Sequence, residues 1–186
     1  MTTFVAVVPG VPALLPERRG RIDPVPELRH ACREAIAWLT EHSRSRITIK
    51  ADPSQFYGRR VADTLLAESG FKDDVVNPGS ATDPTTDGRG LLIVANGSAR
   101  RGEKAPGHLD ARSFDFDEQL EIALGTGDAA ALGKIDTALG AELLAEGLEA
   151  LRSLASFAHA HVTPTMLYAG DPYGVRYWVV TWECVP

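Results

Sequence analysis

The residues best equipped for chemistry crowd into one short stretch, Asn96 to His108, which reads NGSARRGEKAPGH. Ser98 carries a hydroxyl, Arg100, Arg101 and Lys104 are fixed cations, Glu103 is a carboxylate and His108 an imidazole. A nucleophilic serine needs a base and an oxyanion hole. No base is evident here, and Asn-Gly-Ser is not the Gly-x-Ser-x-Gly elbow. The glycines from Gly97 to Gly102 lack the spacing of either nucleotide fingerprint. Guanidinium groups bind carboxylate or phosphate through paired N–H bonds, so Arg100, Arg101 and Lys104 suit an anionic small molecule. The alternative is internal, with an arginine tying this loop to Asp110, Asp115 or the turn at Asp171. His108, after Pro106-Gly107, either lines the same site or is solvated. Asn96-Gly97-Ser98 would serve as a glycosylation sequon only in a secreted chain.

These residues need a strand to place them. Leu91 to Val94 is a short apolar run closed by small polar residues, the pattern of a buried parallel strand emptying into a loop. Ligands in open α/β sheets sit beyond the carboxyl ends of such strands. Phe4 to Val8 reads as another buried strand, stopped by the breaker cluster Pro9-Gly10-Val11-Pro12. Pro26 to His42 carries Leu28, Cys32, Ala35, Ile36 and Leu39 at helical spacing. Arg46 to Ala51 alternates as a strand, and Gln55 to Ser69 reads as a helix closed by Gly70. Asp73 to Gly90 is crowded with turn signals, with Val75 and Val76 forming a short strand inside it.

Beyond the central loop, Phe114 to Gly125 is expected to be helical, and Ala129 to Leu132 and Asp136 to Gly140 make short helical turns. Ala141 to Ala160 reads as the longest helix, with His159 and His161 at its end. Thr165 to Ala169 and Val175 to Trp182 are the last strands, joined through the turn Asp171-Pro172-Tyr173-Gly174, from which Tyr173 reaches toward the cleft. Tyr177, Trp178 and Trp182 on the final strand serve the core or, if that strand is exposed, a dimer surface. Alternating strands and helices point to a three-layer α/β domain with a central, mostly parallel sheet flanked by helices.

The chain has 186 residues, 44% of them hydrophobic, and a formal net charge of -6. That length suits one domain with a full core. The acidic balance argues against a nucleic-acid binder, and the small basic cluster Arg18, Arg19 and Arg21 reads as solvated surface. Two distant cysteines, Cys32 and Cys184, offer no Cys-x-x-Cys zinc pair and suit a reducing compartment. No run approaches the roughly 20 apolar residues of a membrane span. The opening MTTFVAVVPG shows no basic leader, so a cytoplasmic location is expected.

Three segments together carry a family resemblance: PGVPALLPE from Pro9, GSARRGEKAPGHLD from Gly97 and DPYGVRYWVVTW from Asp171. The chain resembles an actinobacterial branch of proteins similar to the catalytic B subunit of class III extradiol ring-cleavage dioxygenases. The likeness is weak between Arg46 and Asp87, and the domain is read as 1–186, shortened in the 46–90 region. The resemblance implies the α/β fold of that subunit and iron(II) held by two histidines and a glutamate, with a further histidine for acid–base steps. At the first ligand position this chain has Gly10, which has no donor atom. The second would fall within Ala51 to Phe56, ADPSQF, where there is no histidine. Arg100 stands where the acid–base histidine would be, and Glu149 aligns loosely with the glutamate.

The departures fall on the residues that carry the chemistry. The reading is therefore a dioxygenase-like protein stripped of its iron triad, with no cofactor, a binding or scaffolding role, and assembly as a homo-oligomer without nucleic-acid or membrane partners. The candidate pocket comprises Asn96, Ser98, Arg100, Arg101, Lys104, His108, Glu149 and Tyr173. One alternative is an enzyme of altered chemistry acting on an anionic small molecule through the 96–108 loop. Another is retained Fe(II)-dependent ring cleavage using His108, His159 or His161.

Overall fold

Each apolar run becomes a strand because its alternate residues have two separate cores to fill. The computed structural model describes residues 1–43, 46–53, 57–71, 74–76 and 88–186. Six strands form one sheet: β1 (Thr3–Val8), β2 (Arg46–Lys50), β3 (Asp74–Val76), β4 (Arg89–Val94), β5 (His161–Gly170) and β6 (Tyr177–Val185). Their order is β3-β2-β4-β1-β6-β5. The pairs β3–β2, β2–β4 and β4–β1 are parallel, and β1–β6 and β6–β5 are antiparallel. The fold is thus a mixed α/β domain with a mostly parallel sheet.

Period-two alternation divides the strand residues between the faces. Ala6, Val8, Ile47, Ile49, Leu92, Val94, Tyr177 and Val179 pack with α1 (Pro26–His42) and α2 (Gly58–Glu68). Val5, Val7, Leu91, Ile93, Trp178, Val180 and Trp182 pack with α3 (Arg112–Thr126), α4 (Ala129–Leu132) and α6 (Leu148–Arg152). Helices therefore cover both faces, which is the three-layer arrangement. Between α4 and α6 lies α5 (Thr137–Glu142). Among the described residues no helix is long and apolar enough to cross a membrane.

The helix α1 opens on Pro26, whose fixed φ suits the first helical position, and closes at Ser43. Its buried residues include Leu28, Cys32, Ala35, Ile36 and Leu39, the expected stripe. The helix expected over Gln55 to Ser69 is found as Gly58–Glu68, and its first expected turn lies outside the described residues. So does most of the 73–90 loop; the short strand within it is β3.

The second half departs from the pattern of its leucines. The continuous helix expected over Ala141 to Ala160 is broken into the end of α5, the short α6 and a 3-10 turn at Ser153–Phe157. Between α5 and α6 the backbone turns back to the sheet. Asn96 and Glu146 exchange backbone hydrogen bonds of 2.9 and 3.1 Å, extending the end of β4. The excursion requires positive φ at Leu144 (58°) and Gly147 (73°). A Cβ at Gly147 would lie 2.2 Å from the Val94 carbonyl oxygen, so glycine alone allows this approach. Accordingly His159 precedes β5 in a turn and His161 is its first residue, rather than both ending a helix. The last strand also begins later than Val175, at Tyr177. It lies inside the sheet, with Trp178 and Trp182 fully buried, so these aromatics serve the core and offer no dimer surface.

Candidate functional site

The strands β1 and β4 end level with each other, at Val8 and Val94, and the chain after β4 runs on beyond them. Gly97 donates its N–H to Arg176 O (2.8 Å), Arg176 donates to Ser98 O (2.9 Å) and Arg101 donates to Gly174 O (3.1 Å). The segments 97–101 and 174–176 thus join beyond the carboxyl end of β1. A Cβ on Gly97 would meet Arg176 Cβ, Asp117 Oδ1 and the Trp178 ring, all at 2.7 Å, so only glycine fits this crossing.

One face of α3 fastens that joint through residues spaced four apart. Ser113 Oγ donates to Arg100 O at 3.1 Å. Asp117, 1% exposed, accepts the Ser98 N–H at 2.8 Å, the Ser98 hydroxyl at 2.5 Å and Arg101 Nη1 at 3.1 Å. Glu121 accepts from Trp178 Nε1 at 3.0 Å and pairs with Arg176. Burial holds the Asp117 carboxyl above its ordinary range, although the Ser98 and Arg101 donors oppose the shift. At Glu121 burial also pushes upward, but the hydrogen bonds from Arg176 and Trp178 win and hold it below its ordinary range. Arg101 continues outward to Asp171 (2.9 Å), and its guanidinium lies 4.6 Å from the Phe114 ring centroid.

A second polar set lies at the end of β1. Gly10 donates its N–H to Asn96 Oδ1 at 2.8 Å, and Asn96 Nδ2 donates to Glu146 Oε2 at 2.9 Å. Burial, reinforced by Glu146 and by Tyr173 and Tyr168, pushes the Tyr177 phenol above its ordinary range. At the end of β2, burial lowers Lys50.

The sequence candidates therefore separate. Ser98 and Arg101 come together, but on internal partners; Arg101 takes the ion-pair alternative, with Asp171 as one partner. Ser98 is fully buried against an acid, and among the described residues no histidine or lysine is positioned on it as a base. Asn96 sits apart, with Gly10 and Glu146. Arg100 is half-buried, with Nη1 donating to Gly107 O at 2.7 Å. Lys104 is exposed, and His108 is exposed with φ 56° and its ring 3.4 Å from Glu103 O. Tyr173 is 60% exposed and donates its hydroxyl to Pro24 O at 3.3 Å. Glu149 does not join Gly10: it is exposed on α6 and pairs with Arg152. The carboxylate beside the Gly10 set is Glu146, three residues earlier.

Sequence reading missed Asp117, Glu121 and Glu146. The first two had a usable signal. Ser113, Asp117 and Glu121 share one helical face beside the buried Phe116, Leu120 and Leu124.

Among the described residues no set of side chains assembles an iron(II) triad. A Cβ at position 10 would lie 3.0 Å from Val94 Cγ1 and 3.1 Å from Gly58 Cα, so a side chain there would crowd β4 and the N-terminus of α2. His161 pairs with Val185 at the amino edge of the sheet, while His108 lies in the loop at the carboxyl edge, so the two do not converge. The described part of the second position, residues 51–53, holds no histidine, and the remainder lies outside the described residues. Among the described residues no group of three His, Cys, Asp or Glu side chains is placed to hold a metal ion.

A separate groove of about 730 Å3 lies between α3 and the α4–α5 segment, floored by Phe116, Leu120 and Leu132 and edged by Ile122, Ile135 and Leu139. None of residues 96–108 lines it. Compared with protein-family models and with curated protein sequences, the chain matches none.

Proposed function

We propose that this chain is a dioxygenase-like protein that has given up ring cleavage and keeps a binding or scaffolding role. The observation that carries the reading is the close packing of Gly10 against Gly58, where the family resemblance would require a metal-ligating imidazole. The polar groups of the adjacent loop support it. Ser98 is fully buried on Asp117, and Arg101 turns its Nε and Nη1 to Asp171 and Asp117, so both are engaged by internal partners. A homo-oligomer belongs to the same reading, and sedimentation velocity would report it as a multiple of the 20.0 kDa chain.

The test is metal content. The full chain, without a histidine tag, is reconstituted anaerobically with iron(II), and bound iron per chain is measured alongside oxygen uptake with simple catechols. The expected result is no stoichiometric iron and no uptake. One iron per chain with catechol-dependent uptake would refute the reading and demand ligands other than position 10.

A further inference from the structure

We infer that Arg19, flanked by Arg18 and Arg21, forms an oxyanion-binding site at the carboxyl edge of the sheet, taking a phosphate or carboxylate group on a small ligand. The inference is independent of the proposal above, because neither iron binding nor its failure touches these residues.

The carrying observation is the state of one guanidinium edge. Arginine presents Nε–H and an Nη2–H side by side, a fork that matches two oxygens of an oxyanion. Four other arginines among the described residues use that edge in this way, Arg112 turning it to Asp110. Arg29 turns it to Asp23, Arg33 to Glu68 and Arg176 to Glu121. In Arg19 the same two nitrogens, Nε and Nη2, are buried and have no acceptor among the described residues. Buried donors are nearly always satisfied, so an orphaned fork asks for an acceptor.

The neighbouring carboxylates do not supply one. Asp23 accepts Val25 N–H and Arg29 Nη2 at Oδ1, and Arg29 Nε at Oδ2. Its pull on Arg19 is through space alone. Glu17 is held by Arg60 across to α2. Neither Arg18, Arg19 nor Arg21 forms an ion pair among the described residues, whereas Arg29, Arg33, Arg59, Arg60, Arg101, Arg112, Arg152 and Arg176 all do. The segment thus keeps three guanidinium groups outside any ion pair among the described residues, in a chain whose net charge is -6. Its place also suits a ligand. It follows β1 at the carboxyl edge, and Tyr173, from the turn at that edge, bonds to Pro24 O.

The experiment labels arginine with 15N in the full chain and follows the Nε–Hε cross-peaks while inorganic phosphate or acetate replaces chloride at constant ionic strength. The Arg19 peak is assigned as the one lost in Arg19→Lys, a variant that keeps the charge and removes the fork. The expected result is saturable movement of that peak, while the exposed Arg152 peak does not saturate. Either anion suffices, and which one saturates first tells phosphate from carboxylate chemistry. In parallel, the saturating anion raises the melting temperature of the native chain and of Arg152→Gln, and its half-effect concentration rises about tenfold or more in Arg19→Lys. Arg19 holds no internal ion pair, so Arg19→Lys is expected to fold normally. Unsaturable drift of the Arg19 peak with both anions, or an equal thermal response in native and Arg19→Lys protein, would overturn the inference.

Discussion

Replacing Asp117 with alanine is expected to cost about 3–5 kcal/mol, the range for removing one partner of a buried charged set. The structure says why the loss is large. Asp117 is 1% exposed and accepts three bonds, two from Ser98 and one from Arg101. Its removal leaves the Ser98 N–H and hydroxyl without acceptors in a fully buried position, and such orphaned groups cost about 1–3 kcal/mol. It also leaves Arg101, whose side chain is 13% exposed, with Asp171 alone. Urea unfolding followed by tryptophan fluorescence is the assay, since Trp178 is tied to the same helix face through Glu121. With a slope of about 2 kcal/mol per M, the midpoint should fall by about 2 M. Asp171→Ala is the internal control. That carboxylate is 44% exposed, so its pair with Arg101 should be worth at most about 1 kcal/mol. If Asp117→Ala costs under about 1 kcal/mol with an unchanged slope, the α3 polar face does not hold the 97–101 joint and the reasoning fails.

Acid should destabilise the protein through Asp23 and Glu121. Arg29 holds Asp23 below its ordinary value, and Arg176 and Trp178 outweigh burial to do the same at Glu121. For a lowered carboxyl the contribution is present above its unfolded pKa, near 4, and is lost as pH falls through the folded value. Urea midpoints from pH 6 to 2.5 should therefore decline, and Glu121→Gln should flatten part of that decline. Asp117 has the opposite sign: raised by burial, it loses stability as pH climbs above the ordinary carboxylate range, so Asp117→Asn removes that slope. Gly147→Ala should destabilise by about 2–4 kcal/mol through its positive φ and its clash with Val94 O, measured by thermal unfolding. Glu149→Ala should change stability by less than about 0.5 kcal/mol in the same assay, because its pair with Arg152 is exposed.

The strands and the first helices were legible because local pattern and tertiary demand agree there. Leu91 to Val94 had to be buried on both faces, and Pro26 to His42 carries both its stop signals and its stripe. The break at Leu144–Gly147 was hidden because its cause is distant: the end of β4 recruits that backbone through Asn96, and no property of the leucines announces it. The candidate loop was found by residue type, but type alone did not reveal where its charges were spent. Arg101 looks the same in sequence whether it faces a ligand or Asp117. Arg19 was passed over as solvated surface for the converse reason, since only coordinates reveal which edge of a guanidinium is covered.

The placement of β6 between β1 and β5 carries a consequence for how the chain is made. Thr3 pairs with Cys184, so two strands far apart in sequence lie side by side. During synthesis β1 can gain β4 on one flank, but its other flank stays bare until residues 177–185 have left the ribosome. Contacts this distant in sequence form slowly, and an unpaired edge invites pairing with other chains. Until β6 arrives, that flank of β1 is an open strand edge, a state the finished sheet no longer betrays.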